Sequence, residues 1–253
     1  MHRPTRSRHG RTGPSPPRSR TPRPPLSPRP RSAGSWPAWT SSRTKSAAGS
    51  PAATIPQFWE RAADICNLYL NPPKDAMVLS IDEKTAIAAR SRKHPGRPAG
   101  PGRPPRQEFE YIRHGTVSIS AALNVRTGEV LTQPIARNNA ATFIDFLRML
   151  ERTINPCHAI HVVLDNGASH VARTTKAWLA DHPRWHVHWT PPHASWLNQV
   201  ELFFSALTRR VLRHGDFPSR DDLIDKMDAY VIAHNTTARP YRWTYDARPL
   251  KAA

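Results

Sequence analysis

The sequence has few cysteines and no long apolar run, and both shortages exclude classes of protein. Cys66 and Cys157 are the only cysteines among 253 residues. Two distant thiols do not make a disulfide framework or a cysteine zinc site, and we expect both to be reduced and buried. No apolar run approaches the roughly 20 residues of a membrane span, and the amino terminus lacks the apolar stretch of a signal peptide. We therefore expect a soluble intracellular protein without a membrane partner.

Acidic residues are also scarce. The chain has 37 Lys and Arg residues against 19 Asp and Glu residues, which gives a formal net charge of +18 and a pI near 11.2. A charge of this size predicts a polyanionic partner. Nucleic acid is the usual one, because neutralising its phosphates releases counterions, and an acidic membrane surface is the competing interpretation.

The composition changes near residue 53. Arg, Pro and Ser dominate the first fifty residues, and no acidic residue precedes Glu60. Such a segment cannot bury enough apolar surface to offset its conformational entropy, so we expect residues 1–53 to form a disordered basic tail. The tail could hold DNA loosely, but an Arg/Pro/Ser tract can also be translated from sequence never selected to fold. Residues 54–76 predict a helical lead-in, because apolar side chains recur at helical spacing from Phe58 to Tyr69.

Residues 77–253 alternate between strand-like and helix-like patterns. The Pro/Gly/Arg stretch between Arg90 and Arg106 fits neither pattern and predicts a loop, whereas Thr127-Gly128 predicts a hairpin turn. Three strands come first and then strands alternate with helices, which indicates an α/β fold with a mixed five-stranded sheet flanked by helices. The predicted strands are Met77–Ile81, Tyr111–Asn124, Glu129–Ile135, Ala159–Leu164 and Trp185–Trp189. The predicted helices cover residues 143–150, Val171–Ala180, Asn198–Arg213 and Arg220–His234.

Three carboxylates stand where predicted elements end or begin. Asp82 follows the first strand, Asp165 follows the fourth strand, and Glu201 lies in the first turn of a predicted helix. If the two strands are neighbours, Asp82 and Asp165 are close enough to share a metal ion, and Glu201 can close the site. Mg²⁺ prefers oxygen ligands, and two divalent ions about 3.5–4 Å apart can clamp the attacking and leaving oxygens of a phosphodiester. The pattern therefore points to metal-dependent cleavage of nucleic acid.

Each carboxylate also has a purely local interpretation. Asp82 fits an ordinary turn after a strand, Asp165-Asn166-Gly167 fits a hairpin turn, and Glu201 fits a capping box with Asn198. Each local interpretation is reasonable for its own residue. Taken together they are weaker, because turns and caps do not explain why three acids occur in this order.

Three motifs, IDEKT, VVLDNGASH and HASWLNQVE, resemble those of the DDE-type insertion-sequence transposases related to the mariner group, with Asp165 and Glu201 thirty-six positions apart. The resemblance runs from about Phe58 to Leu250 and includes FEYIRHGTVSISAALNVRTGEV. It implies a catalytic domain of the retroviral-integrase superfamily over residues 77–253, with a ribonuclease H-like core. It also implies that Asp82, Asp165 and Glu201 hold two Mg²⁺ or Mn²⁺ ions. A water would attack the transposon end, and the freed 3′-hydroxyl would then attack target DNA.

The resemblance also implies a setting for this chemistry. The partners would be DNA at the transposon ends and at the target, bound by a homodimer in the cytoplasm of a prokaryote, in association with the nucleoid. Relatives usually carry an amino-terminal helix-turn-helix, which we do not find before Thr54, so we expect a truncated or frameshifted copy that keeps the catalytic core. Two alternatives remain: a stand-alone nuclease on the same fold, and a non-catalytic DNA-binding remnant.

Three polar residues, Asn166, His170 and Asn198, are expected to support the carboxylates. His170 matches a family position near the metal site and would orient a phosphate or a water, although a histidine after a turn is as often structural. Zinc binding by other histidines is a minor alternative. His186 and His188 would share a strand face, but the sequence offers neither cysteine ligands nor a helical His pair.

Several basic residues and one aromatic residue are candidates for contacting DNA. Trp196 precedes the catalytic helix and could stack on unpaired bases, whereas we expect Trp189 to lie in the core. The GRP repeats between residues 96 and 104 resemble the tripeptide that inserts Arg into a minor groove, although a solvated basic loop is the simpler description. The basic candidates are Arg92, Lys93, Arg97, Arg103 and Arg106.

Overall fold

The computed structural model describes residues 57–106 and 108–247. The predicted tail, residues 1–53, therefore lies outside the described residues. The predicted lead-in helix is present as α1, Phe58–Leu70, which buries one apolar face. It ends where the N–H of Asn71 donates to the carbonyl of Asn67 (2.8 Å), because two prolines follow and cannot continue a helix.

A mixed sheet of five strands forms the centre of the protein, as predicted. The strands are β1 Ala76–Arg92, β2 Tyr111–Asn124, β3 Val130–Ile135, β4 Ala159–Leu164 and β5 Trp185–Trp189. Their order in the sheet is β3-β2-β1-β4-β5. Antiparallel pairing joins β1 to β2 and β2 to β3, and parallel pairing joins β1 to β4 and β4 to β5. The turn at Gly128 (φ 78°) confirms the predicted hairpin between β2 and β3.

Helices cover both faces of the sheet because the strands carry apolar side chains on each face. The helices after α1 are α2 Ala140–Thr153, α3 Ala168–Val171, α4 Arg173–Ala180, α5 Val200–Leu207 and α6 Arg220–Thr236, with a 3₁₀ turn at Ser195–Leu197 and a π-helical turn at Thr208–Leu212. Along β2, Ala122 faces a core that includes α2, while its neighbours Ala121 and Leu123 face a core that includes α5 and α6. Side-chain caps start two helices: Asn139 accepts from the N–H of Thr142 before α2, and Ser219 caps α6.

The first strand is much longer than predicted. β1 reaches Arg92 because the long strand β2 pairs with it as far as Tyr111, through irregularities after Lys84 and Ala88. Asp82 therefore lies inside β1 and not at its carboxyl end. Its parallel neighbour β4 stops opposite Ser80, so Asp82 still emerges at the edge where β4 ends.

The predicted loop between Arg90 and Arg106 begins later than expected, because residues 90–92 belong to β1. Beyond them the chain forms a narrow hairpin with two isolated antiparallel bridges, Arg97 to Arg106 and Gly100 to Arg103. The prolines and glycines of this stretch prevent a continuous ladder.

Two predicted helices are interrupted in the structure, whereas α2 and α6 only extend beyond the predicted bounds. The helix predicted at Val171–Ala180 is divided at Ala172, whose extended backbone (φ −56°, ψ 146°) separates α3 from α4. The helix predicted from Asn198 starts at Val200 and widens into the π-helical turn after Leu207.

The two cysteines differ in exposure. Cys66 is buried, as predicted, and burial raises the pKa of its thiol. Cys157 is exposed, which corrects the prediction for that residue; it lies in the turn before β4, outside the apolar core. Among the described residues, no helix is both long and apolar enough to cross a membrane.

Candidate active site

Two neighbouring strands bring Asp82 and Asp165 to one edge of the sheet. The register of β1 and β4 pairs Ser80 with Val163, so both aspartates come two residues after this last pair. They line one cleft of about 180 Å³ together with Glu83 and His170. The hairpin-turn interpretation of Asp165-Asn166-Gly167 is wrong, because β4 and β5 are parallel and are connected through α3 and α4.

The surroundings of the Asp82 carboxyl group disfavour its ionised form. Burial and then the charge of Asp165 raise its pKa to about 7, with smaller contributions from Glu83 and Glu201, although the N–H of Glu83 donates to it (2.7 Å) and opposes the rise. Carboxylates that repel one another in a partly dehydrated cleft favour a bound cation.

His170 bridges two of the carboxylates that line this cleft. Its ring is 1% exposed, and its Nδ1 lies 2.7 Å from Oδ1 of Asp165 while its Nε2 lies 3.2 Å from Oε1 of Glu83. Burial acts to lower the pKa of His170, but the bonds to both carboxylates outweigh it and raise the pKa to about 10. The charged ring in turn contributes to lowering the pKa of Asp165, chiefly through its hydrogen bond.

Glu83 is a site residue that sequence reasoning missed. Its side chain is 4% exposed and lies between His170 and Asn138. The two acids of IDEKT are adjacent, and strand alternation places adjacent side chains on opposite faces of a sheet. A buried acid requires a basic partner. The presence of His170 in the sequence is therefore the signal from which Glu83 could have been predicted.

A glycine is required beside Asp165. The N–H of Gly167 donates to Oδ1 of Asp165 (2.9 Å), and a Cβ atom at this position would lie 2.9 Å from that oxygen and 3.2 Å from Nδ1 of His170. Asn166 stabilises the same segment by donating through its side chain to the carbonyl of Thr190 (2.8 Å).

Asn198 joins the segment before α5 to β1. Its buried side chain donates to the carbonyl of Ile81 (2.8 Å) and accepts from the hydroxyl of Ser80, which also accepts from the N–H of Val200 (2.9 Å). The capping-box interpretation is therefore wrong, because the Asn198 side chain is used by the strand and not by the helix. This network fixes the start of α5, and hence Glu201, against the strand that carries Asp82.

Glu201 lies in a second cleft beside the first. It is exposed and borders a space of about 240 Å³ with Lys84 and residues of α5 and the π-helical turn. Within residues 57–106 and 108–247, no three His, Cys, Asp or Glu side chains are spaced to hold a metal ion. The structure thus brings Asp82 and Asp165 into one cleft and Glu201 into the adjoining one.

Three histidines, His161, His186 and His188, contact one another on strands β4 and β5. The His161 ring packs against the rings of His186 and His188, which therefore share a face as expected. Nδ1 of His161 lies 2.9 Å from Nε2 of His188, whose Nδ1 lies 2.6 Å from Oδ2 of Asp64. These contacts link β4 and β5 to α1.

The DNA-contact candidates are separated from the carboxylates. Arg92 lies ten residues after Asp82 on β1, which corresponds to about 30 Å of extended chain. The remaining basic candidates lie further along the hairpin. Lys93 is paired with Glu110 (2.6 Å), whereas Arg97, Arg103 and Arg106 are exposed. The guanidinium of Arg92 donates to the carbonyl of Glu108.

The two tryptophans differ as expected. Trp196 is 42% exposed, in the 3₁₀ turn before α5, where its ring meets the edge of Tyr245. Trp189 packs against the core on the α2 side of the sheet.

Comparison with known proteins identifies the family. The sequence profile described as DDE superfamily endonuclease matches residues 77–224. The chain belongs to this superfamily. An insertion element IS630 uncharacterized 39 kDa protein from Shigella sonnei is 29% identical over 109 residues, which make up 43% of this chain and 32% of that protein. The match thus spans about a third of the relative's length.

Solved structures of Mos1 transposase share the fold. The Mos1 transposase paired-end complex with left transposon end has a TM-score of 0.53 at 20% identity and covers 77% of this chain and 60% of that one. The Mos1 mariner paired-end complex with Mn has a TM-score of 0.52 at 19% identity and covers 70% and 56% respectively. This similarity confirms the predicted ribonuclease H-like mixed sheet flanked by helices.

Proposed function

We propose that this chain is the catalytic part of a transposase that cuts DNA at the ends of an insertion element and joins them to target DNA. The observation that carries the proposal is the cleft in which Asp82 and Asp165 face each other, with the pKa of Asp82 raised to about 7. A DDE-family sequence profile matches the same residues. Carboxylates that repel one another form a binding site for a divalent cation, because the cation relieves the repulsion.

Asp82, Asp165 and Glu201 would hold two Mg²⁺ or Mn²⁺ ions. The donor set fits, because carboxylate oxygens are hard ligands and Mg²⁺ retains several waters, so few protein ligands suffice. A complex of the similar Mos1 protein was solved with Mn. Bound ions of this kind activate a water and stabilise the charge that develops on a phosphoryl group. Glu201 lies in the adjoining cleft, so its side chain would complete the set from the α5 side.

The residues around the carboxylates would hold them in place for this chemistry. His170 engages one oxygen of Asp165, Oδ1, together with the N–H of Gly167, so Oδ2 has no hydrogen-bond partner among the described residues. Asn198 fixes the start of α5 to β1, and Asn166 fixes the segment after β4 to the end of β5. We therefore assign positioning roles to Asn166, His170 and Asn198.

The remaining elements of the proposal concern partners and location. We propose that the protein acts as a homodimer on DNA in the cytoplasm of a prokaryote, at the nucleoid. The bacterial insertion-element relative and the solved Mos1–DNA complexes support this setting. We further propose that Arg97, Arg103, Arg106 and Trp196 contact DNA outside the catalytic cleft, since all four are exposed.

Joining of DNA ends tests the proposal and separates a transposase from a nuclease. Inverted repeats are first sought in the DNA that flanks the gene, and a labelled duplex carrying them is incubated with the protein, Mn²⁺ and a plasmid target. We expect labelled end DNA to become covalently attached to the plasmid, and Asp165→Asn to abolish attachment. Hydrolysis without joining would indicate a nuclease, and DNA binding without either product would indicate a non-catalytic remnant.

A further inference from the structure

The cleft beside Glu201 is lined by groups suited to an anion. Besides Glu201, its lining consists of two cationic side chains, two hydroxyls and one aromatic ring: Lys84, Arg209, Ser205, Thr208 and Phe204. The volume is about 240 Å³, which is large enough for a phosphate and too small for a folded partner segment.

Neither cation is paired with an acid in the part of the chain that the structure describes. Neither Lys84 nor Arg209 takes part in an ion pair or a side-chain hydrogen bond there, in contrast to Lys93 and Lys226, which are both paired. The Lys84 ammonium lies 5.8 Å from the centre of the Phe204 ring, a cation–π contact that holds it over the cleft without neutralising it. With two cations against the single carboxylate of Glu201, the lining of the cleft has a net positive charge, which favours an anionic ligand.

One hydroxyl is available and the other is not. The Thr208 hydroxyl already donates to the carbonyl of Phe204 (2.7 Å). Ser205 is exposed one turn after Glu201, so its hydroxyl can donate to a ligand in the cleft. The π-helical turn Thr208–Leu212 widens the helix just where Arg209 projects, and such turns are often found at functional sites.

The position of Lys84 relates this cleft to the carboxylates. Side chains two residues apart on a strand share a face, so Lys84 follows Asp82 at about 7 Å along β1. Ser80 on the same face accepts from the N–H of Val200, the first residue of α5, which agrees with this orientation. A DNA strand whose phosphate lies between the carboxylates would therefore carry its neighbouring phosphate over Lys84.

We propose that Lys84, Arg209 and Ser205 bind a DNA backbone phosphate next to the one that is cut. This inference rests on the proposed function and extends it with a specific subsite. The contact is with phosphate oxygens, so it orients the strand without reading its sequence. Glu201, at the border of the same cleft, would face the linkage between the two phosphates.

The salt dependence of DNA binding tests this subsite. Wild-type protein, Lys84→Gln, Arg209→Gln and the double variant are titrated with a random-sequence duplex in EDTA at several salt concentrations. Log affinity falls as log salt concentration rises, and each single variant is expected to make this fall less steep, by about 0.9 in the slope. Each is also expected to weaken binding about tenfold. Lys84→Arg should retain the wild-type slope.

Arg152→Gln is the matched control. It removes the same charge from an exposed residue in the last turn of α2. The start of this helix lies near Glu83, and the length of the helix separates Arg152 from that point by about 20 Å. The proposal is overturned if the slope of Lys84→Gln and Arg209→Gln equals that of wild type, or if Arg152→Gln loses as much. Arg209 is exposed, so Arg209→Gln decides the question by itself if Lys84→Gln is unstable.

Calorimetric titration with Mn²⁺ separates this inference from the proposed function. Lys84→Gln and Arg209→Gln should bind Mn²⁺ as wild type does. If wild type binds no Mn²⁺ while the two variants still lower the salt slope, the proposed function fails and the phosphate subsite stands. If wild type binds Mn²⁺ and the slopes are unchanged, the subsite fails and the function stands.

Discussion

Replacing Asp82 with Asn is expected to stabilise the metal-free protein. Burial and the charge of Asp165 raise the pKa of Asp82 from 3.8 to about 7, so the folded protein carries an ionised carboxyl group that its surroundings disfavour. A rise of this size corresponds to roughly 4 kcal/mol, which partial exposure of the side chain reduces. Asn keeps the oxygen that accepts from the N–H of Glu83 (2.7 Å), so this hydrogen bond survives the change.

The sign of the effect depends on pH. Below the pKa of the unfolded state, near 3.8, Asp82 is protonated in both states and the substitution has no electrostatic effect. As the pH rises from 3.8 to about 7, the unfolded chain ionises first and the wild-type protein loses stability. Above about 7 the disadvantage is complete, and the variant is expected to be more stable by about 1–4 kcal/mol.

Urea denaturation in EDTA, repeated from about pH 4 to about pH 8, measures this difference. Asp75→Asn, at the exposed turn before β1, is the control that removes a charge without relieving burial. Mn²⁺ at about 100 times its Kd should then stabilise wild type by about 2.7 kcal/mol and leave Asp82→Asn unchanged. Equal or lower stability of the variant at about pH 8 would refute the electrostatic account of the cleft.

Three further substitutions test the residues around the carboxylates. His170→Gln should cost about 3–5 kcal/mol near neutral pH. In urea denaturation, wild type should lose stability as the pH rises from 6.5 to about 10, because the charged His170 ring that bridges two acids is deprotonated. His170→Gln has no such ring and should not show this loss. Asn198→Ala should lower the free energy of unfolding by about 1–3 kcal/mol, since the Ile81 carbonyl and Ser80 hydroxyl lose a buried partner; no loss relative to Asn67→Ala on the exposed face of α1 would contradict this. Gly167→Ala should weaken Mn²⁺ binding in calorimetry by displacing Asp165, and unchanged binding would argue against that contact.

The sequence predicts the parts of the structure that depend on local pattern. The bounds of β2, β4 and β5 match the predicted strands because alternating or buried apolar runs are bounded by turn residues. The extension of β1 to Arg92 was not predictable in this way. It depends on pairing with β2 across a hairpin rich in proline and glycine, and that pairing is not visible in the local pattern.

The same distinction applies to the site. Asp82 and Asp165 follow predicted strands, so their meeting needed only the assumption that the strands are neighbours. The bridge from His170 to Glu83 joins residues 87 positions apart, and the contact of Asn198 with Ser80 joins residues 118 positions apart. Such contacts are set by how the helices pack on the sheet, which periodicity along the chain does not specify.

Nicking of supercoiled plasmid DNA tests the central claim most directly, because it requires no knowledge of the element's ends. The account predicts Mn²⁺-dependent nicks by wild type that disappear in Asp82→Asn, Asp165→Asn and Glu201→Gln, while all three variants still bind DNA. Nicks that persist at the wild-type rate in Asp165→Asn would contradict the assignment of these carboxylates as the catalytic centre.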